Sequence, residues 1–177
     1  MNIFKKVQTE KEIDMVEQLA RIIWKDYFSS MIGDEIVDYM LEKLQSKNAI
    51  SDQIQDGYLY YLIQSSKNFI GYFAILHKNE ADELFLSKLY ILHSERGKGS
   101  GKAAMKFIES LAGKKNCKKI SLTVFHKNIK AISIYEKMGF KKTGSIMRDI
   151  GSNIIIHDFL MEKNSSESMK SFFLKEY

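Results

Sequence analysis

The 177-residue sequence predicts an α/β fold in which a mixed, mostly antiparallel sheet carries helices on both faces. Three observations lead there. Runs of alternating or buried apolar character and runs of helical spacing follow the order β-α-α-β-β-β-α-β-α-β-β. The first two strands of the middle section are joined at Ser66-Lys67-Asn68, a hairpin signal. Further on, strands and helices alternate as a β-α-β-α unit, which calls for parallel pairing inside an otherwise antiparallel sheet.

Each element has a local reason. "NIFKKVQ" reads as the first strand. Thr9 and Glu12 form a capping box, after which Ile13, Val16, Leu19, Ala20, Ile23 and Trp24 recur at helical spacing. "GDEIVDYMLEKLQSK" reads as one second helix capped by Asp34, with Ile36, Met40 and Leu44 on one face. "YLYYLIQS", "NFIGYFAILH" and "ADELFLSKLYIL" are the middle strands. A helix is predicted over 101–113, ended by Gly113, then the strand "KKISLTVFH". The next helix runs from Asn128 to Met138, with Gly139 as its terminating residue. Strands near 140–149 and 154–162 close a domain expected to span 1–163. The remaining tail, 164–177, is polar and then apolar around Phe172, Phe173 and Leu174.

Composition narrows the functional classes. A net charge of +5 on scattered cations suits an anionic small ligand as well as a nucleic acid. Cys117 is the single cysteine, so no internal disulfide forms, and no Cys/His group has zinc spacing. A reducing, cytoplasmic setting is expected. Lys5 and Lys6 are followed by "VQTEKE" rather than an apolar stretch, and no run is long enough to span a bilayer, so neither a secretion signal nor a membrane anchor is expected.

The chemistry concentrates in "SERGKGSGKAAMKF", residues 94–107, where a strand passes through a glycine-rich corner into a helix. Glycines let main-chain N–H groups turn inward toward an anion, and the helix N-terminus adds partial positive charge. Arg96, Lys98 and Lys102 add full charges. A P-loop is excluded, because no Ser or Thr follows Lys102 and Gly97 is one residue too close. A dinucleotide fingerprint fits poorly, because the next strand lacks a terminal acidic residue. What remains is R-x-x-G-x-G, on Arg96, Gly99 and Gly101. About thirty residues later stands N-x-x-A-x-x-x-Y-x-x-x-G-F, on Asn128, Ala131, Tyr135, Gly139 and Phe140.

With both patterns in this order, the chain resembles the GCN5-related N-acetyltransferase (GNAT) family over roughly residues 1–163. The resemblance implies a six- to seven-stranded sheet splayed between its fourth and fifth strands. It implies acetyl-coenzyme A as cofactor, with its pantetheine arm on the backbone of Leu89, Tyr90 and Ile91. The pyrophosphate would sit on Arg96, Gly97, Lys98, Gly99, Ser100, Gly101 and Lys102. Asn128 would bond to the arm or hold the loop. Tyr135 would protonate the departing thiolate after direct attack by an amine in a ternary complex. No metal is implied. A homodimer is compatible with the family, with the tail as one candidate for the contact.

The acceptor amine poses a separate problem. A primary alkyl amine of pKa ~10.4 is about 0.04% neutral at pH 7, a deficit of roughly 4.6 kcal/mol. The family's two usual glutamate positions are Ser87 and Thr123 here, so no base is assigned. Glu83, sharing strand parity with Ser87 and Leu89, and His93, just after the strand, are the side chains at hand. Trp24, Tyr27, Phe28, Met31 and Tyr39, with Asp26, Asp34, Glu35 and Asp38, supply aromatics and carboxylates suited to a cationic amine. The layout resembles the polyamine and small-amine branch. A peptide acceptor, through an α-amine or a lysine, and a non-catalytic acyl-coenzyme A binding module are the alternatives. No nucleic acid or membrane partner is expected.

Overall fold

The computed structural model describes residues 2–152 and 154–165. The segment around Phe172, Phe173 and Leu174 lies outside them. The strands are β1 (Asn2–Lys6), β2 (Leu59–Ser65), β3 (Asn68–Lys78), β4 (Glu83–Ile91), β5 (Lys119–Phe125), β6 (Lys141–Asp149) and β7 (Ile155–Asn164). The helices are α1 (Glu10–Ile32), α2 (Asp34–Gln45), α3 (Lys47–Gln55), α4 (Ser100–Lys114) and α5 (Ile129–Lys137). The seven strands follow the order β1-β2-β3-β4-β5-β7-β6. The sheet is mixed: β4 and β5 are parallel, while β1–β2, β2–β3, β5–β7 and β6–β7 are antiparallel. The β4–β5 ladder pairs Glu83–Leu86 with Lys119–Leu122, and β4 continues past it to Ile91. Among the described residues no helix is long and apolar enough to cross a membrane.

Packing divides the described residues into two compact units, the residues up to Leu76 with Ser87–Ile108, and His77–Leu86 with the residues from Glu109 on. In the first, the helical spacing of α1 places Val16, Leu19, Ala20, Ile23, Trp24 and Phe28 in one stripe, buried with Val37, Leu41, Ile50, Tyr60, Leu62 and Tyr72. Burying each of the larger side chains, such as Leu19, Ile23 or Phe28, stabilises the fold by about 1.5–3 kcal/mol. Alternation along the strands sends Tyr61 and Phe73 to the other face. There they stack at 4.9 Å and meet Phe107 of α4. Helices therefore cover both faces of this unit.

Local signals hold where the backbone alone decides. The Thr9–Glu12 capping box is present, and the hairpin turn needs only Ser66 and Lys67, with Ser66 in a left-handed conformation (φ 55°). Three expectations are corrected. The segment 33–47 is not one helix: Ser46 is extended and its hydroxyl accepts from Ala49 N–H, which starts α3. Asp34 does not cap α2. Gly33 holds that place, and Asp34 Oδ1 instead accepts from Ser29 Oγ at 2.6 Å and pairs with Lys25. Gly113 does not end α4, which runs to Lys114. The left-handed residue that turns the chain is Asn116 (φ 56°), an amino acid that tolerates this conformation.

Gly71 answers a tertiary need. A Cβ at this position would lie 2.3 Å from Tyr90 O and 3.0 Å from Ile91 Cα, so only glycine lets β3 and β4 approach there. Gly71→Ala is expected to lower stability by about 3 kcal/mol, since the obstacle is backbone that cannot swing away. An unchanged urea midpoint would refute this close approach.

Candidate active site

The end of β4 and the start of α4 form the glycine bend. Gly97 (φ 77°) and Gly99 (φ 87°) are both left-handed, and each has open space where a side chain would begin. α4 opens at Ser100, and the first backbone bond closing onto the bend is Ala103 N–H to Gly99 O at 3.0 Å. By helix geometry the N–H groups of Ser100, Gly101 and Lys102 have no intrahelical partner. Ser100 is buried, Gly101 half-buried and Lys102 exposed. Lys98 pairs with Glu95 at 3.0 Å. Two left-handed glycines followed by a helix start put main-chain donors at the bend, the kind of group that binds a diphosphate.

Arg96 lies differently from its neighbours. Its Nε donates to Ile91 O at 3.0 Å and its guanidinium covers the Tyr27 ring at 4.5 Å. Along β4, alternation puts Leu89 and Ile91 on one face and Lys88 and Tyr90 on the other. Tyr90 packs on Trp24 (5.5 Å), Phe28 (6.3 Å) and Tyr72 (5.5 Å), while Phe28 touches both Trp24 and Tyr27 at 5.0 Å. The predicted wall residues Trp24, Tyr27 and Phe28 are thus brought together against the strand expected to hold the cofactor arm. His93 Nδ1 sits 3.4 Å from Asp26 of α1. Tyr39 lies elsewhere in this unit, lining an open groove of about 540 Å³ with Glu42, Asp52 and Gln53. Sequence reasoning passed over Lys88, which is buried, donates to Gln53 Oε1 and lies over the Tyr58 and Tyr60 rings. Its signal was a lysine at an inward position of a buried strand.

The second motif, in the other unit, is a set of helix-end devices. Asn128 is the N-cap of α5, with Oδ1 accepting from Ala131 N–H at 3.2 Å, and only 8% of it is exposed. At the other end Gly139 is left-handed (φ 91°). Phe140 N–H bonds Tyr135 O and Gly139 N–H bonds Glu136 O, which is a Schellman ending. The hydrophobic contact that accompanies such an ending is made by Tyr135 itself, edge-on to Phe140 at 5.6 Å. The spacing of Asn, Ala, Tyr, Gly and Phe therefore fixes where the Tyr135 ring stands on the helix.

Glu83 sits at the opposite end of β4 from the glycine bend. It is 7% exposed and accepts from Lys78 (2.7 Å) and Ser121, with Lys119 Nζ at 3.2 Å. Burial pushes its carboxyl upward, but the Lys78, Ser121 and Lys119 donors outweigh burial and hold it below the ordinary value of 4.5. A carboxylate so occupied is a weak proton acceptor. A lowered native pKa contributes stability that is complete above about 4.5 and is lost as pH falls toward the native value. Glu83→Gln should cost about 1–3 kcal/mol at pH 7 and reduce the loss of stability on acidification below pH 5. Identical acid-unfolding curves for the two proteins would contradict this. Among the described residues no cluster of His, Cys, Asp or Glu could hold a metal ion.

Comparison with known proteins supplies the family. The spermine/spermidine N(1)-acetyltransferase of Bacillus subtilis (strain 168) is 36% identical over 69 residues, 38% of this chain, and the match spans 45% of that relative's length. Two solved structures share the fold at low identity. The PaiA N-acetyltransferase of Thermoplasma acidophilum, crystallised with coenzyme A, has a TM-score of 0.74 at 21% identity, over 93% of this chain and 99% of that one. The ribosomal-protein-S18-alanine N-acetyltransferase of Escherichia coli has a TM-score of 0.68 at 14% identity, over 93% and 94%. The model of the acetyltransferase (GNAT) family matches residues 16–140, which include the glycine bend, α5 and its Schellman ending, and the chain belongs to that family.

Proposed function

We propose that this chain is an N-acetyltransferase acting between acetyl-coenzyme A and a primary amine, with a small amine or polyamine as the acceptor. The observation that carries the reading is the glycine bend: two left-handed glycines with open space above them, leading into first-turn N–H groups that have no intrahelical partner. Acetyl-coenzyme A, when bound, supplies an acetyl group already activated as a thioester. The main chain of Gly97 to Lys102 holds its diphosphate, and the backbone of Leu89, Tyr90 and Ile91 offers amide partners to its arm. Tyr135 holds a proton at its phenol oxygen for the leaving sulfur. A coenzyme A thiol, taken as similar to free cysteine near 8.5, leaves fairly well unaided, so the phenol adds about 10- to 100-fold, no more than the low end of the ~10²–10⁴-fold available from a general acid.

Half-buried Tyr27, with exposed Asp26 beside it, is the ring left to meet the alkyl body and charge of the acceptor; Trp24 and Phe28, 4% and 8% exposed, back it from the core. Glu83 stays out of this chemistry, being held by two lysines and a serine. One observation favours a peptide α-amine instead: Ser87 and Thr123 carry no carboxylate, and an α-amine with pKa near 8 needs less help to lose its proton.

Thiol release measured with a panel of amines separates the readings. Turnover with spermidine but not with peptides supports the polyamine acceptor, and the opposite pattern selects the peptide. Coenzyme A binding without turnover on any amine would reduce the chain to a binding module.

A further inference from the structure

Resting on the acetyltransferase reading, we propose that Arg96 is a positioning residue that ties the cofactor bend to the acceptor wall, instead of serving as one more cation for the diphosphate. The turn from His93 to Arg96 is gripped at both ends by adjacent residues of α1. His93 meets Asp26 at 3.4 Å, and the Arg96 guanidinium lies over Tyr27 at 4.5 Å. The next residue, Gly97, is the first left-handed position of the bend. Arg96 Nε is also committed to Ile91 O at 3.0 Å, the last residue of β4. A guanidinium lying over a phenol ring and bonded to main chain is held from two sides. A compact ammonium at the same place would keep the charge and lose that geometry.

The wall continues from this point by contact. Tyr27 packs edge-on to Phe28, Phe28 against Trp24, and both Phe28 and Trp24 against Tyr90 of β4. An acceptor that settles the rings therefore settles Arg96 and the start of the bend, and a bound diphosphate that orders the bend settles the rings. Coupling of this kind is reciprocal by linkage. Its signature is that a lesion in the acceptor wall weakens cofactor binding.

The test is calorimetry with coenzyme A on the full chain, using Tyr27→Phe, Tyr27→Leu, Arg96→Lys and the double variant Tyr27→Leu/Arg96→Lys. Tyr27→Phe keeps the ring and should bind within about twofold of wild type. Tyr27→Leu and Arg96→Lys should each weaken binding about three- to tenfold. The double variant should be no weaker than the worse single one, because both remove the same contact. Unchanged affinity in a folded Tyr27→Leu protein, or effects that multiply in the double variant, overturns the proposal. Should Tyr27→Leu fail to fold, Tyr27→Met takes its place, with the same expected weakening and the same overturning result. Absence of coenzyme A binding by wild type overturns the acetyltransferase reading, an outcome distinct from these.

Discussion

Tyr135→Phe is expected to lower kcat about 10- to 100-fold while leaving coenzyme A affinity nearly unchanged. The substitution removes one oxygen and nothing else. The ring stays edge-on to Phe140, and the Schellman bonds from Phe140 and Gly139 are main-chain bonds that do not involve the phenol. Helix position should therefore persist, and a fall in kcat at unchanged coenzyme A affinity and unchanged stability belongs to the proton that the phenol oxygen would have given. Single-turnover thiol release together with calorimetric Kd separates the two quantities. Full kcat in the phenylalanine variant would remove Tyr135 from the mechanism and leave the residue as a helix-end packing contact.

Alanine substitutions in the bend should weaken coenzyme A binding at least tenfold, and the two positions test different causes. Gly99 is left-handed, where an L-residue costs roughly 1–2 kcal/mol, so Gly99→Ala either strains the bend or reshapes it. Gly101 lies in the first turn of α4, and its new methyl would meet only Ile91 Cδ1, at 3.6 Å. Alanine is a better helix former by about 0.5–1 kcal/mol, so Gly101→Ala should be at least as stable as wild type. A tenfold loss of affinity in that protein would come from a methyl group standing where phosphate oxygens must approach. Unchanged Kd in both variants would show that the bend grips no diphosphate.

The parts of the fold that were legible beforehand share one property: they depend on backbone within about one helix. The Thr9–Glu12 box, the Ser66 turn, and the Asn128 cap with the Gly139–Phe140 ending each close within a few residues. The errors were also local and small. Ser46 was read into the second helix because the spacing of Ile36, Met40 and Leu44 runs up to it. Asp34 was given a cap role that Gly33 holds, and Gly113 was read as the terminator because glycine is the commonest left-handed residue, whereas the turn falls on Asn116.

The chain order of residues was enough to establish the seven strands, the helices apart from the break at Ser46, and the helix-end grammar around Tyr135, because sterics of neighbouring peptide units settle these. Which partners the remaining side chains take was decided by packing. Glu83 with Ser121, Tyr27 with Arg96, and Gly71 with Tyr90 meet across long stretches of chain. No periodicity encodes such meetings. They exist once the sheet register sets strands side by side, and that register is fixed by burial of whole faces at once.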